Sequence, residues 1–146
     1  MIVQRFLQWM ATAPAELRAA ATRALVRAFL RGGLDEATRE AAEAAMTVVL
    51  DDPSDTVRYA LAEELVASEA APRHLILALA CDQERIAALV LSRSPLLIDA
   101  ELAEIAATTG AALQVAVASR ANLSATVSAA LAEAGEREAC RRLLAN

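Results

Sequence analysis

The sequence predicts an all-α fold, an α-solenoid in which short antiparallel helix pairs stack on one another. Three observations predict it. Apolar residues recur at the 3.6-residue spacing of amphipathic helices and not in the alternation of strands. About a quarter of the chain is alanine, the residue with the highest helix propensity. Similar segments also recur about every 27 residues, a spacing typical of repeat arrays.

Residues 1–50 are predicted to form three helices that precede the repeats. The first spans Ile2 to about Thr12, the second begins at Pro14, and the third is capped by Asp35. Gly32 and Gly33 end the second helix. The predicted apolar stripes of the three helices are, in order, Val3, Phe6, Leu7 and Met10; Leu17, Ala21, Ala24, Leu25 and Ala28; and Ala37, Ala41, Ala44 or Ala45, Val48 and Val49. Trp9 and Phe29 are expected to pack the N-terminal end of the stack.

The stretch from Asp51 to Leu65 predicts a loop followed by an amphipathic helix. Pro53 ends the preceding helix because it has no backbone N–H, and Ser54 or Asp55 is expected to cap the next one. The apolar stripe of this helix is Val57, Ala60, Leu61 and Leu65. Helix capping also accounts for Asp51, Asp52 and Asp55 better than a cation site does, since the glycine and terminal glutamate of an EF-hand loop are missing.

Later segments repeat this helix at intervals of about 29, 27 and 26 residues. The aligned positions are Val57, Ile86, Leu113 and Ala139; Ala60, Leu89, Ala116 and Arg142; and Ala62, Leu91, Ala118 and Leu144. A second helix in each unit aligns Ile76, Leu79 and Ala80 with Leu102, Ile105 and Ala106, and then with Ser128, Leu131 and Ala132. The chain is therefore predicted to be one domain, residues 1–146, with repeats over residues 51–146.

The order Asp52-Pro53, Val57-Arg58, Ala60 and Leu65 resembles the signature of HEAT repeats. The segments 50–82, 92–97 and 119–124 also resemble the N-terminal part of an alphaproteobacterial family of uncharacterised proteins with degenerate HEAT-like repeats. The resemblance implies a right-handed helical stack, continued by further chain, and it brings no known activity. Gly110 and Gly135 stand where the HEAT pattern has an Asp-Pro turn, so we expect turns there.

Composition excludes several classes of function. The chain has no lysine, so phosphate-binding P-loops and Schiff-base chemistry are excluded. The net charge of -5 argues against sequence-independent binding of nucleic acid. No secretory signal and no apolar run of about 20 residues is found, which favours a cytoplasmic protein that does not span a membrane.

The sequence also lacks any spacing of residues typical of a catalytic or metal-binding site. His74 is the single histidine, and on a helix it would lie about 10.5 Å along the axis from Cys81, too far to activate it. One histidine and two distant cysteines do not make a zinc site. We therefore expect no enzyme activity, cofactor or metal, with Cys81 and Cys140 reduced and buried.

Three residues are candidates for partner binding: Glu64, Arg93 and Arg120, with Asn146 at the equivalent place in the last unit. Arg93 and Arg120 follow the apolar stripes of their helices, so they either bind the last free carbonyls of a helix or form a ladder that binds carboxylates of a partner. Glu64 is expected to pair with Arg93 across adjacent helices.

The function expected from these observations is a non-enzymatic scaffold that binds other proteins through an extended helical surface. The alternatives are a nucleic-acid-binding module and the non-catalytic part of a larger enzyme. Leu143 and Leu144 close the sequence where a repeat array should present a polar surface. Either the C-terminal end self-associates, or more chain follows Asn146.

Overall fold

The computed structural model describes residues 2–145 and every side chain in that range except those of Ile2 and Ala139. About three quarters of the chain is helical, and residues 2–145 contain no strand. The helices are α1 (Ile2–Met10), α2 (Ala15–Arg31), α3 (Glu36–Val49), α4 (Asp55–Leu65), α5 (Arg73–Ala80), α6 (Glu84–Arg93), α7 (Asp99–Thr108), α8 (Ala111–Ala118) and α9 (Ala125–Ala145). The all-α prediction is confirmed. None of these helices is both long enough and apolar enough to cross a membrane.

Alternate helices pack against one another along the chain. α2 contacts α4, α4 contacts α6 and α6 contacts α8, so that these four helices form a row, which we call the central row. α7 packs against α9, and α1 against α3. A continuous cluster of buried residues runs from Met10 in α1 to Val127 in α9, so the whole row shares one core.

The apolar stripe predicted for α4 is confirmed. Val57, Ala60, Leu61 and Leu65 are all fully buried. In α6, Ile86 and Leu91 are also fully buried, at the positions aligned with Val57 and Ala62. Leu113, the aligned residue of α8, is only half-buried because this helix lies at the end of the central row.

Three predicted helix boundaries in residues 1–50 are confirmed. Pro14 immediately precedes α2, and both Gly32 and Gly33 after it have a φ of 79°, the left-handed conformation that favours glycine. Asp35 caps α3, since its Oδ1 accepts a hydrogen bond from the Thr38 N–H at 2.7 Å. Hydrogen bonding from the Thr38 side chain, and then from its backbone N–H, lowers the pKa of Asp35 against the effect of burial.

The stripe predicted for α2 is wrong. The buried residues are Ala19, Thr22, Val26 and Phe29, whereas Leu17, Ala24 and Ala28 are exposed and Ala21 and Leu25 are half-buried. The helix has two apolar stripes, and the core takes the one that contains Thr22. This threonine is tolerated there because its hydroxyl donates to the Arg18 carbonyl at 2.8 Å. Leu17, Ala24 and Ala28 of the second stripe face outward, while Ala21 and Leu25 pack against the edge of the core.

In α3 the predicted stripe is half right. Ala45 and Val49 are buried as expected, but Val48 and Ala37 are exposed. Met46 and Ala42 take their places in the core. Seven residues of the helix are alanine or valine, so the sequence pattern does not separate neighbouring faces.

The turn expected at Gly135 is wrong, because α9 continues through it from Ala125 to Ala145. A glycine inside a helix costs about 1 kcal/mol relative to alanine, which lowers helix stability but does not end the helix. The last predicted unit therefore is not two helices. The side chain of Ala139 and the residue Asn146, which the repeat alignment uses, lie outside what the structure describes.

The predicted burial of both cysteines is also wrong. Both are free and exposed, because Cys81 lies in the turn after α5 and Cys140 lies in the last part of α9, where residues 140–145 are all exposed. Phe29 packs the N-terminal end as expected, with the Arg39 guanidinium 4.3 Å from its ring centre. Trp9 remains 42% exposed and stands beside Phe6, so it covers α1 without entering the core.

Candidate functional site

The central row is held together by two equivalent arginine–aspartate pairs. Arg18, the fourth residue of α2, donates two hydrogen bonds of 3.0 Å to the Asp52 carboxylate in the loop before α4. Arg58, the fourth residue of α4, binds Asp82 before α6 in the same way, at 2.9 and 3.3 Å. In both pairs the remaining guanidinium nitrogen donates to a loop carbonyl, of Ala13 or of Asp52. Each arginine therefore connects its own loop to the next one along the row.

The surroundings of Asp52 favour its charged form. Burial opposes ionisation, but the hydrogen bonds from Arg18 and from the Ser54 N–H, together with the charges of Arg18 and Arg58, outweigh it and lower the pKa of Asp52. The Ser54 N–H lies 2.9 Å from Asp52 Oδ1. The expected side-chain cap from Ser54 or Asp55 is therefore wrong, because Asp52 organises this loop instead.

The pattern ends in α6, whose fourth residue is Ala87 and not arginine, and it differs again before α8. Gln114 is the fourth residue of that helix, where α2 and α4 have arginine, and Gly110 stands in its loop instead of an aspartate. The Gln114 amide donates to the Thr109 carbonyl at 2.7 Å and to the Ala106 carbonyl at 3.2 Å. Gln114 therefore keeps the hydrogen bond to a carbonyl of its own loop, but as an amide it forms no ion pair with a neighbouring loop.

Arg93 and Arg120, predicted to occupy equivalent places, have different surroundings. Arg120 is half-buried and donates to the Leu91 carbonyl at 2.6 Å and to the Ser94 carbonyl. It therefore binds free carbonyls as expected, but those at the end of α6 and not at the end of its own helix. Burial lowers the pKa of Arg120, and the charge of Asp99 opposes this effect. Arg93 is exposed on α6.

The expected ion pair between Glu64 and Arg93 is wrong. Glu64 accepts hydrogen bonds from Arg27 at 2.7 Å and from Arg23 at 3.4 Å, both on α2. The Arg27 hydrogen bond is the main cause that lowers the pKa of Glu64, against the effect of burial. Because Glu64 lies on the side of α4 that faces α2, it cannot reach α6 on the other side.

A shallow groove with a volume of about 370 Å³ crosses α4, α6 and α8 on one face of the central row. We call it the row groove. Its residues include Tyr59, Arg85, Ala88, Ser92, Ala112, Val115 and Ser119. The Arg85 guanidinium stacks over the Tyr59 ring, 4.3 Å from its centre, and lies 3.9 Å from Asp55, beyond hydrogen-bond distance. Asp55 therefore forms an ion pair with Arg85 without a hydrogen bond, and the guanidinium lies beside the apolar residues of the groove.

Sequence reasoning missed the row groove. Tyr59 is the single tyrosine of the chain and follows Arg58, but only the fold brings Arg85 over its ring. The signal available in the sequence was an aromatic residue on the side of α4 opposite its apolar stripe, together with the short side chains of Ala88 and Ala112 on the next two helices of the row.

The polar side chains of His74, Thr47 and Glu43 lie close together. Its Nε2 lies 3.1 Å from Thr47 Oγ1, and its Nδ1 lies 3.6 Å from Glu43 Oε1. The order resembles a hydroxyl–histidine–carboxylate triad. However, the Thr47 hydroxyl donates its proton to the Glu43 carbonyl at 2.9 Å, so the imidazole is not placed to accept it. Between residues 2 and 145, no three side chains of His, Cys, Asp or Glu gather as a metal site would require.

Comparison with known proteins gives one similarity. Residues 86–146, from α6 to the end of the chain, match the family described as "Uncharacterised protein conserved in bacteria (DUF2336)". No curated protein matches the chain, and no solved structure does. The expected resemblance to an uncharacterised bacterial family is confirmed at that level, whereas the HEAT-like repeats and the alphaproteobacterial origin stay predictions.

Proposed function

We propose that the chain is a non-enzymatic helical-repeat scaffold that binds another protein through the row groove. The observation that carries the proposal is the Arg85–Tyr59 stack at the edge of a groove whose other residues are small or apolar. Tyrosine and arginine are enriched among the residues that dominate binding energy at protein interfaces. We infer that α2, α4, α6 and α8 are equivalent helices in successive units of a solenoid; the contacts between them along the central row support this, and such stacks present extended surfaces.

The chemistry of the row groove indicates the kind of partner. Ala88, Ser92 and Ala112 have short side chains, which allow a helix or an extended segment to approach the central row closely. The Arg85 guanidinium lies too far from Asp55, at 3.9 Å, for a hydrogen bond, and it suits a partner carboxylate, since a guanidinium binds one through two hydrogen bonds. We infer that the partner segment is apolar with an acidic residue near the Arg85 end.

Nucleic-acid binding is the alternative, and the pairing of the arginines argues against it. Arg18, Arg23, Arg27, Arg58 and Arg73 all bind carboxylates of this chain, and Arg120 binds carbonyls. Arg137, Arg141 and Arg142 pair with glutamates of α9. Few of the fourteen guanidinium groups are therefore left to bind phosphates on one face, and strong binding needs several. A mobility shift of DNA or RNA at low salt would support the alternative.

The test is affinity capture from a bacterial extract with quantitative mass spectrometry. The groove variant combines Arg85→Ala with Ala112→Glu. Its matched control combines Arg31→Ala with Ala37→Glu, which also removes one exposed arginine and adds one glutamate to the first turn of a helix. We expect the groove variant to capture the bound proteins at least about tenfold less than the wild type, which corresponds to a loss of about 1.4 kcal/mol in binding free energy. The control should capture them as the wild type does. Equal capture by both variants, or no protein captured by the wild type, would contradict the proposal.

Partner binding by Glu64, Arg93 and Arg120 stays a prediction with a separate test. Because Arg120 binds two carbonyls, we expect Arg120→Ala to lower the free energy of unfolding by about 1–2 kcal/mol, and exposed Arg93→Ala to change it by less than about 0.5 kcal/mol. A partner lost by Arg93→Ala at unchanged stability would support a binding role for that arginine. An unchanged set of partners would rule it out.

A further inference from the structure

A pocket with a volume of about 320 Å³ lies between α1, α3 and the loop before α4. We call it the α1–α3 pocket. Its apolar lining includes Leu7, Met10, Val48, Val49 and Pro53, and it shares no residue with the row groove. Val48 is 53% exposed because it faces this pocket and not the core. The volume lies at the lower end of the range of about 300–1,000 Å³ for small-molecule sites.

Three charged side chains, those of Arg18, Asp51 and Asp52, form the polar part of the pocket lining. The turn that follows α3 holds both aspartates next to the apolar part. The Asp51 N–H donates to the Val48 carbonyl at 3.1 Å. The Asp52 N–H donates to the Val49 carbonyl at 3.0 Å. The pocket therefore offers a hydrocarbon surface and carboxylates within the reach of one small molecule.

One carboxylate at this pocket has no compensating charge. Arg18 pairs with Asp52, and Arg58, whose charge also acts on Asp52, pairs with Asp82. Two guanidinium groups thus balance two carboxylates. Asp51 is exposed, and no arginine within residues 2–145 forms an ion pair with it. The Asp51 carboxylate therefore remains available to a cation from outside the chain.

The end of α3 also favours a positive charge at the pocket. The carbonyl end of a helix carries a partial negative charge, and the last turn of α3 contains no basic residue to offset it. An anion would instead meet two carboxylates, of Asp51 and Asp52, against the single guanidinium of Arg18. Because most of the lining is apolar, the pocket suits a cation that carries hydrocarbon better than a hydrated metal ion.

We propose that the α1–α3 pocket binds a small aliphatic amine. The hydrocarbon chain of the amine packs on Leu7, Met10 and Val48, and its ammonium group pairs with the Asp51 carboxylate. A second copy of this chain cannot supply such a group from a side chain, because the sequence has no lysine. The site is separate from the row groove, so it does not depend on the function proposed for that groove.

Nuclear magnetic resonance titration of the full chain tests the proposal with hexylamine, hexanol and hexanoate, three probes of equal chain length, at pH 7. We expect hexylamine to shift the amide signals of Met10, Val48 and Asp51 saturably, with a Kd of about 1 mM or tighter. Hexanol should bind at least about threefold more weakly, since it keeps the apolar contact and loses the ion pair. Hexanoate should bind more weakly than hexanol. Shifts that do not saturate with hexylamine, or equally tight binding of either other probe, would overturn the proposal.

Two variants and two matched controls locate the binding site. Val48→Phe fills the pocket and should abolish the saturable shifts. Asp51→Asn removes the charge and should weaken hexylamine binding at least about threefold, while hexanol binding stays unchanged. The controls, Leu77→Phe on α5 and Asp99→Asn on α7, change exposed residues outside the pocket and should bind hexylamine as the wild type does.

Circular dichroism checks that each variant is folded. If Val48→Phe does not fold, the comparison of Asp51→Asn with Asp99→Asn and the three probes still decide the result. Binding by a folded Val48→Phe variant as tight as that of the wild type would contradict the proposed site. Equal hexylamine affinity of Asp51→Asn and Asp99→Asn would contradict the ion pair, and with it the proposal.

Discussion

At the scale of single residues, arginine supplies most of the polar contacts between distant parts of this chain. Arg18 and Arg58 each make three hydrogen bonds, to a carboxylate and to a carbonyl in different loops. Arg73 likewise binds a carboxylate and a carbonyl, whereas Arg120 binds two carbonyls at the end of α6. A planar guanidinium with five donors can satisfy such divergent acceptors, whereas an ammonium group acts as a point charge. The chain has no lysine, and the contacts described above are ones that a guanidinium can make and an ammonium group cannot.

The first prediction concerns Arg58. Arg58→Lys should lower the free energy of unfolding by about 1–3 kcal/mol, because lysine cannot bind Asp82 through two hydrogen bonds and still reach the Asp52 carbonyl. Denaturant unfolding measures it. Arg93→Lys, an exposed change on α6, is the control and should stay within about 0.5 kcal/mol of the wild type. Equal stability of the two variants would contradict the role given to Arg58.

The second prediction concerns acid sensitivity. The pKa of Asp52 is lower in the folded chain than its ordinary value of 3.8, so the ionised carboxylate stabilises the fold above that value. The stabilisation is lost as the pH falls through the folded pKa. Asp52→Asn should be less stable than the wild type at pH 7, and the difference should shrink below pH 3.8. Unfolding measured at both pH values checks this, and a difference independent of pH would refute it.

At the scale of helices, α9 differs most from expectation. It runs for 21 residues through Gly135 and packs along α7. Its residues around the glycine are good helix formers, including Glu133 and Arg137, and Ala134 and Glu136 flank it directly. A side chain at Gly135 would meet no atom within 4 Å, so the glycine is not required for close packing.

The third prediction follows from this geometry. Gly135→Ala should raise the free energy of unfolding by about 0.5–1 kcal/mol, because alanine restricts the unfolded chain and favours the helix. Gly33→Ala is the matched control: it also has open space around it, but its φ is 79°, so alanine should destabilise the fold by about 1–2 kcal/mol. If Gly135→Ala were destabilising as well, a turn and not a continuous helix would lie at that position.

At the scale of the whole molecule, the sequence predicted the helices better than their orientation. Helix class, the α4 stripe, the Asp35 cap and the Gly32-Gly33 terminus follow from local rules, and all are confirmed. The buried face of α2 does not follow from local rules. Alanines of α2 are spread around the helix, and only its contact with α4 determines which stripe is buried. The row groove is not predictable by the same means, since Tyr59 and Arg85 meet only when α4 and α6 pack side by side.

The central claim, that the row groove binds another protein, is tested most directly by photo-crosslinking in living bacteria. A photoreactive p-benzoylphenylalanine replaces Ala112, which is exposed in the row groove on α8, or in the control Ala78, which is exposed on α5 outside it. We expect residue 112 to form a covalent product with a different protein and residue 78 to form none. Equal products from both positions, or none from residue 112, would contradict the proposed function.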